Sequence, residues 1–258
     1  MKILFLADVF GVPGRRAVEE QLPALRERYD ADLAIVNGEN IADGAGITPK
    51  LADKLLAAGA DVVTLGNHTY RRGGIASYLA TSERVIRPAN QGSQTPGQGM
   101  AVVEARNGVK VAVLNLLGQL FLDTPVSPWE MVDALVDEAR AEAPVVIVDF
   151  HAEATSEKIA IATWLDGRVT AVIGTHTHVQ TNDARILPGG TAAITDAGMT
   201  GPHDSVIGVR SELAIARMRE RLPVRFEPAE GGARLEGVVV ACTDAGRAEA
   251  IEPIRVSA

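Results

Sequence analysis

Five short apolar runs in this chain each stop at residues able to hold a proton or a cation. Lys2–Ala7 ends at Asp8, Leu33–Asn37 at Gly38-Glu39-Asn40, Val62–Leu65 at Gly66-Asn67-His68, Val145–Phe150 at His151, and Thr170–Ile173 at Gly174-Thr175-His176-Thr177-His178. Runs of this length, separated by stretches of helical periodicity, predict strands of a sheet covered by helices. In an open α/β sheet ligands gather beyond the carboxyl ends of the strands, so neighbouring strands would carry these polar groups to one rim.

Between the runs, Val18, Leu22 and Leu25 recur at helical spacing within Pro13–Tyr29. Thr48-Pro49 reads as the cap and first-turn proline of a helix to about Ala58. Further helices are predicted over Pro128–Glu142, with Pro144 just beyond, over Ser156–Leu165 and over Ser211–Arg221. Met100–Ala105 and Val109–Leu116 flank Asn107-Gly108, a hairpin signal, and Arg185–Leu187 and Thr191–Thr195 flank Pro188-Gly189-Gly190 in the same way. Val145–Phe150 is taken as a fully apolar, buried strand and Gly237–Cys242 as a late one. No repeat, low-complexity segment or linker interrupts the pattern, and Gln91–Gly99 reads as a surface loop. Residues 1–258 are expected to form a single α/β domain.

Of the 258 residues 47% are hydrophobic and 22% charged, which supplies a sizeable core and excludes disorder. Acidic residues outnumber basic ones 33 to 25, a formal net charge of −8. Stable nucleic-acid binding through bulk positive charge is therefore not expected; a small anionic substrate stays open, because a local cation can dominate the field in a cleft. The apolar run before Asp8 is too short for a secretory signal, and no stretch reaches the roughly 18 apolar residues of a membrane span, so no membrane role is expected. Cys242 is the only cysteine. A disulfide within the chain is thus impossible, a metal would need His, carboxylate and amide ligands, and the expected compartment is the cytoplasm.

The candidate ligands are Asp8, Glu39, Asn40, Asn67, His151, His176 and His178. Seven donors exceed one tetrahedral ion and suit two ions sharing a carboxylate; nitrogen and oxygen donors without thiolate fit iron, manganese or zinc. Each residue alone has a plainer reading. Asp8 alone is a turn or helix cap, Asn40 a loop residue making Asx-type bonds, Gly66-Asn67-His68 a turn with Asn67 in the left-handed conformation, and His151 a satisfied core histidine. His176-Thr177-His178 is harder to set aside, because alternate residues of a strand point to one face and two adjacent imidazoles repel when protonated. Together, on five strand ends, they point to a metal centre.

These residues in this order, with Asp8-Val9-Phe10-Gly11 early and Gly198-Met199-Thr200-Gly201-Pro202 late, resemble the calcineurin-like binuclear metallophosphoesterases. Within that superfamily the chain looks like the bacterial YmdB-like branch, in which Gly-Glu-Asn stands where other members carry a second aspartate motif. The likeness covers nearly the whole chain. One departure from the broader superfamily is Phe10, where the first motif has a histidine, and Asn40 is the candidate replacement ligand. The resemblance implies a four-layer α/β/β/α sandwich with mixed sheets and two divalent or mixed-valence metal ions, iron first and manganese or zinc as alternatives. It also implies hydrolysis of small cyclic nucleotides, 2′,3′-cyclic first and 3′,5′-cyclic second. It would place Asp8, Glu39, Asn40 and His178 at one metal and Glu39, Asn67, His151 and His176 at the other, with Glu39 bridging. His68 is left as the catalytic acid; beside ligand Asn67 it could reach the leaving oxygen without binding metal, and histidine exchanges a proton near neutral pH. The implied reaction is in-line attack by a hydroxide held between ions roughly 3.5–4 Å apart, with His68 protonating the departing ribose oxygen.

Tyr70-Arg71-Arg72-Gly73-Gly74 could offer a ring and a positive edge to a nucleotide, although a solvated loop is the expected role. Arg15 and Arg16 open a helix, and His203 lies outside the strand-end set; none of these decides the substrate. Two alternatives stay in view: a phosphomonoesterase or phosphoprotein phosphatase using the same ions, and a regulatory protein that senses a nucleotide. A homo-oligomer is left open.

Overall fold

The central strands are apolar on both faces, and each face meets a different layer. The computed structural model describes residues 1–221 and 223–258. In the first sheet β1 (Lys2–Leu6), β2 (Leu33–Asn37), β3 (Val62–Thr64) and β4 (Val85–Ile86) run parallel. The second holds β5 (Met100–Glu104), β6 (Lys110–Leu117), β7 (Val145–His151), β8 (Ala171–Thr175), β9 (Arg185–Ile186) and β10 (Ala192–Ile194), in the order β5-β6-β7-β8-β10-β9. Its centre is parallel, and both edges are antiparallel. The chain then returns to the first sheet through β11 (Gly201–Pro202), β12 (Ala233–Cys242) and β13 (Ala248–Ser257), with β12 antiparallel to β1 and β13 antiparallel to β12.

Ile3, Phe5, Ile35 and Val62 of the first sheet pack with Val113, Ile147 and Ile173 of the second, forming the layer between the sheets. Leu4, Leu6, Ala34 and Val36 face the other way, onto Val18 and Leu22 of α1 (Gly11–Tyr29), Leu55 of α2 (Pro49–Ala57) and Leu79 of α3 (Ile75–Leu79). Leu114, Leu116, Val146 and Val148 likewise cover Val132 and Val136 of α4 (Pro128–Glu142) and Ile161 of α5 (Thr155–Trp164). Burying one such aliphatic side chain contributes about 1.5–3 kcal/mol. The result is the expected four-layer α/β/β/α sandwich with mixed sheets. A smaller cluster of Phe10, Met199, Val209 and Ala214 seats α6 (Ser211–Glu220) beside the carboxyl rim of the first sheet.

Local chemical signals are realised: the Thr48 hydroxyl accepts the Leu51 N–H at 3.4 Å and Pro49 opens α2. Other expectations need correction. Val145–Phe150 is buried throughout but not fully apolar, because Asp149 lies in it. The late strand begins at Ala233 rather than Gly237, and β13 follows it unforeseen. Pro253 and the charges of Glu249, Glu252 and Arg255 are tolerated there because, among the described residues, β13 pairs only with β12 and so forms an edge. Among the described residues no helix is long and apolar enough to cross a membrane.

Candidate metal centre

All five strand ends meet at one rim, and the eight singled-out residues converge there. Asp8 follows β1, Glu39 and Asn40 follow β2, and Asn67 and His68 follow β3; His151 ends β7, and His176 and His178 follow β8. Asp8, Glu39, Asn40 and His151 are buried, while His68 and His176 are half-exposed. Glu39 sits between two groups. Its Oε1 accepts from Asn40 Nδ2 at 2.9 Å on one side and lies 3.2 Å from His151 Nε2 on the other. On the first side, Asn40 Nδ2 is 3.1 Å from His178 Nε2 and 3.4 Å from Asp8 Oδ1. On the second, His151 Nε2 is 3.1 Å from both Asn67 Oδ1 and His176 Nδ1. The ligand atoms of Glu39, His151 and His176 lie within 4.8 Å of one another.

The backbone bends to achieve this. Asp8, His176 and His178 have φ of 22°, 97° and 62°, a region that side chains with a Cβ occupy at a cost of about 1–3 kcal/mol each. The His-x-His pair is therefore a turn beyond β8, not the strand-like pair that its spacing suggests, and Asn67 is not left-handed. The turn is pinned at its middle: Asp196 Oδ2 accepts the Thr177 N–H at 3.0 Å, the Thr177 hydroxyl at 2.6 Å and Lys158 Nζ at 2.8 Å. Asp8 Oδ2 accepts the His176 N–H at 2.9 Å. Gly66 is required by space, since a Cβ there would lie 2.3 Å from Glu39 Oε2 and 2.5 Å from His151 Nε2.

Each imidazole has an oxygen on its outer nitrogen. His178 Nδ1 donates to the Ile207 carbonyl at 3.0 Å, and His176 Nε2 faces the Glu153 carboxylate at 3.1 Å. His151 Nδ1 lies 2.9 Å from the Thr175 hydroxyl. The inner nitrogens, His178 Nε2, His176 Nδ1 and His151 Nε2, are thereby turned toward Asp8 and Glu39, which is how metal-binding imidazoles are oriented. Protonation follows the same logic. Burial raises Asp8 despite His178 and His151 nearby, and burial would raise Glu39 too, but His151 and His68 hold its carboxyl well below the usual range. His151 is raised to about 9, because Glu39 and Asp8 outweigh its desolvation. His176 falls to about 3 through burial and the charge on His151. Burial pushes Asp149 up to about 6. A proton on His151 Nε2, ringed by acceptors, occupies the place where a cation would be held, so the donor set and its charge fit divalent metal.

Asn40 presents Nδ2 to Asp8, Glu39 and His178, and Oδ1 to His68 Nδ1 at 2.8 Å. Serving as a ligand would require the amide to turn over, exchanging two groups of nearly equal size. A cavity of about 610 Å³ opens from the cluster, lined by His68, Glu153, Arg72, Phe10, Ile207 and Phe226. Arg72 reaches this cavity, although its guanidinium is anchored on the Ala42 and Ala45 carbonyls; Tyr70 is instead held by the Pro96 carbonyl. His203 bonds the Met199 carbonyl at 3.1 Å and is not among the cavity's lining residues. Sequence reasoning missed Glu153, Asp149, Thr175 and the Lys158–Asp196 pair. A lone carboxylate inside an apolar run is the signal that could have found Asp149.

A family model described as YmdB-like protein matches residues 4–254. The chain is 48% identical over 244 residues to the 2′,3′-cyclic-nucleotide 2′-phosphodiesterase of Bacillus subtilis (strain 168), covering 95% of this chain and 92% of that one. A crystal structure of a hypothetical protein from Thermus thermophilus superposes with a TM-score of 0.93 at 42% identity, over 100% of this chain and 99% of that one. A novel phosphatase from Mycoplasma pneumoniae superposes with a TM-score of 0.91 at 37% identity, over 100% and 93%.

Proposed function

The chain belongs to the YmdB-like protein family, and on that premise we propose that it is a metal-dependent phosphodiesterase that hydrolyses small cyclic nucleotides, 2′,3′-cyclic ones first. The observation that carries this reading is the meeting of the inner nitrogens of His151, His176 and His178 with the Asp8 and Glu39 carboxylates beside a cavity of about 610 Å³ that Glu39, His176 and His178 line. Asp8, Glu39, Asn40 and His178 would hold one ion and Glu39, Asn67, His151 and His176 a second, with iron preferred and manganese or zinc as alternatives. When bound, such ions supply Lewis-acid polarisation of phosphoryl oxygens and a water of lowered pKa.

The remaining steps belong to the chain. His68 lines the cavity with its backbone N–H fixed on Glu39 Oε2 at 3.0 Å and its Nδ1 engaged by Asn40. In the imidazolium form, Nε2–H is then the donor left for the departing ribose oxygen. Arg72, tied to carbonyls of the loop after Asn40, stiffens the wall beside His68. Phe226 and Ile207, also in the cavity lining, offer an apolar surface for a base.

The test is hydrolysis of 2′,3′-cyclic and 3′,5′-cyclic nucleotides with Fe²⁺ or Mn²⁺ supplied, alongside bis- and mono-p-nitrophenyl phosphate. Diester turnover well above monoester turnover is expected. His68→Ala should retain metal and lose about 10²–10⁴-fold in kcat, the usual contribution of a positioned acid. Preference for the monoester would move the assignment to a phosphomonoesterase, and nucleotide binding with no turnover of any ester would move it to a sensor.

A further inference from the structure

Beneath the ligand cluster the apolar layer between the sheets gives way to a polar seam that the reaction above does not use. Asp149, on β7, is wholly buried, and its carboxylate joins both sheets. Oδ2 accepts from Asn37 Nδ2 at 2.9 Å and from the Thr64 hydroxyl at 2.5 Å, both on the first sheet. Oδ1 accepts from the Thr175 hydroxyl at 2.7 Å, on the neighbouring strand of its own sheet. Among the described residues no lysine or arginine pairs with it, so side-chain donors and the nearby His151 answer its charge. Asn37 extends the seam upward, its Oδ1 accepting the Glu39 N–H at 3.2 Å.

The direction of these bonds decides the state of His151. A hydroxyl has one proton, and Thr175 spends it on Asp149. Toward His151 Nδ1, 2.9 Å away, Thr175 can therefore only accept, and Nδ1 must carry a proton. The other nitrogen, Nε2, is then the one offered to Glu39, Asn67 and His176. We propose that Asp149, acting through Thr175, is a positioning residue that fixes which nitrogen of His151 faces the ligand cluster. Its consequence for metal rests on the functional reading above; the bond direction does not.

Zinc affinity measured by chelator competition tests this on the full chain with Asp149→Asn, Thr175→Ser, Thr175→Val and the Asp149→Asn/Thr175→Val pair. An asparagine that keeps its oxygen toward Asn37 and Thr64 turns its N–H₂ toward Thr175, whose hydroxyl proton is then released from Asp149's hold and can be directed at His151, where it opposes Nδ1–H. Asp149→Asn is expected to weaken zinc binding by about 10–100-fold, the usual cost of losing such an outer partner. Thr175→Ser keeps the hydroxyl and should match the parent, Thr175→Val should weaken binding, and Asp149→Asn should add little in the Thr175→Val background. In ¹H–¹⁵N spectra of the zinc-loaded protein, His151 should show a slowly exchanging Nδ1–H in the parent and in Thr175→Ser. A lowered Tm for Asp149→Asn with unchanged zinc affinity, or simple additivity in the pair, overturns the positioning role while the metal reading stands. A parent that binds no zinc overturns the metal reading, and the consequence drawn here with it.

Discussion

The two sheets contribute different chemistry to the same rim. The first brings oxygen, from the Asp8 and Glu39 carboxylates and Asn67 Oδ1 after β1, β2 and β3, with the Asn40 amide among them, and the second brings nitrogen, from His151, His176 and His178 at β7 and β8. The candidate cluster of Glu39, His151 and His176 draws on both sheets. The centre is thus a property of how the sheets are registered, and the seam of Asn37, Thr64, Asp149 and Thr175 is where that register is held by directional bonds rather than by apolar contact.

The strongest way to break the comparison is to remove Glu39, the carboxylate proposed to be shared by both groups. Glu39→Ala should lower metal affinity more than about 100-fold, beyond the range for loss of an outer partner, and should empty both positions. His176→Ala removes one nitrogen from one side, and should leave the Asp8, Asn40 and His178 side loaded. Elemental analysis after dialysis reads the difference. Full metal content in Glu39→Ala would remove its shared role.

Much of this asymmetry was legible in the sequence, because what ends a strand is a local property. The apolar runs, the residue that stops each run and the glycines beside them are all adjacent in the chain. What the residues do on arrival is not local. The spacing of His176 and His178 suggests a strand face, yet the Asp196 carboxylate, with Lys158 beside it, holds them in a left-handed turn, and that pair comes from other elements. Asp149 is hidden by its apolar neighbours, since its partners Asn37 and Thr64 lie 112 and 85 residues away. The strand β13 was lost for the opposite reason: an edge tolerates charges and a proline that a central strand would not.

Acidity sharpens the comparison further, because His151, on the nitrogen side, holds a proton where a cation would be held. His151 keeps its proton up to about 9 in the metal-free protein, whereas His176, at about 3, is already neutral and Glu39, well below the usual carboxylate range, is already charged. A cation taking His151 Nε2 must displace that proton. Proton and cation compete, so affinity should fall as pH is lowered through the window below about 9 and level off above it, by about tenfold per pH unit for one proton. Competition titrations at several pH values measure the slope. A flat profile would mean that His151 does not give up a proton to the metal.

The smallest effect is expected where the two sheets touch through rings. Phe10, two residues beyond Asp8, meets His178 edge-on, with centroids 5.6 Å apart and planes at 80°. The ring is confined: a Cβ at Gly44 or Gly208 would come within 2.5 or 2.7 Å of it. In the broader superfamily that the sequence resembles, a histidine ligand stands at this position, so here an apolar ring replaces an inner nitrogen and braces one instead. An edge-to-face contact is worth about 0.5–1.5 kcal/mol beyond its buried area, which corresponds to about 2–10-fold in a binding constant. Phe10→Leu keeps apolar bulk without the ring edge. It should weaken metal by that amount at the side formed by Asp8, Asn40 and His178, and leave the side formed by Asn67, His151 and His176 unchanged. Zinc titrations that resolve the two positions decide it: equal weakening at both would show that Phe10 supports the whole rim rather than the orientation of His178.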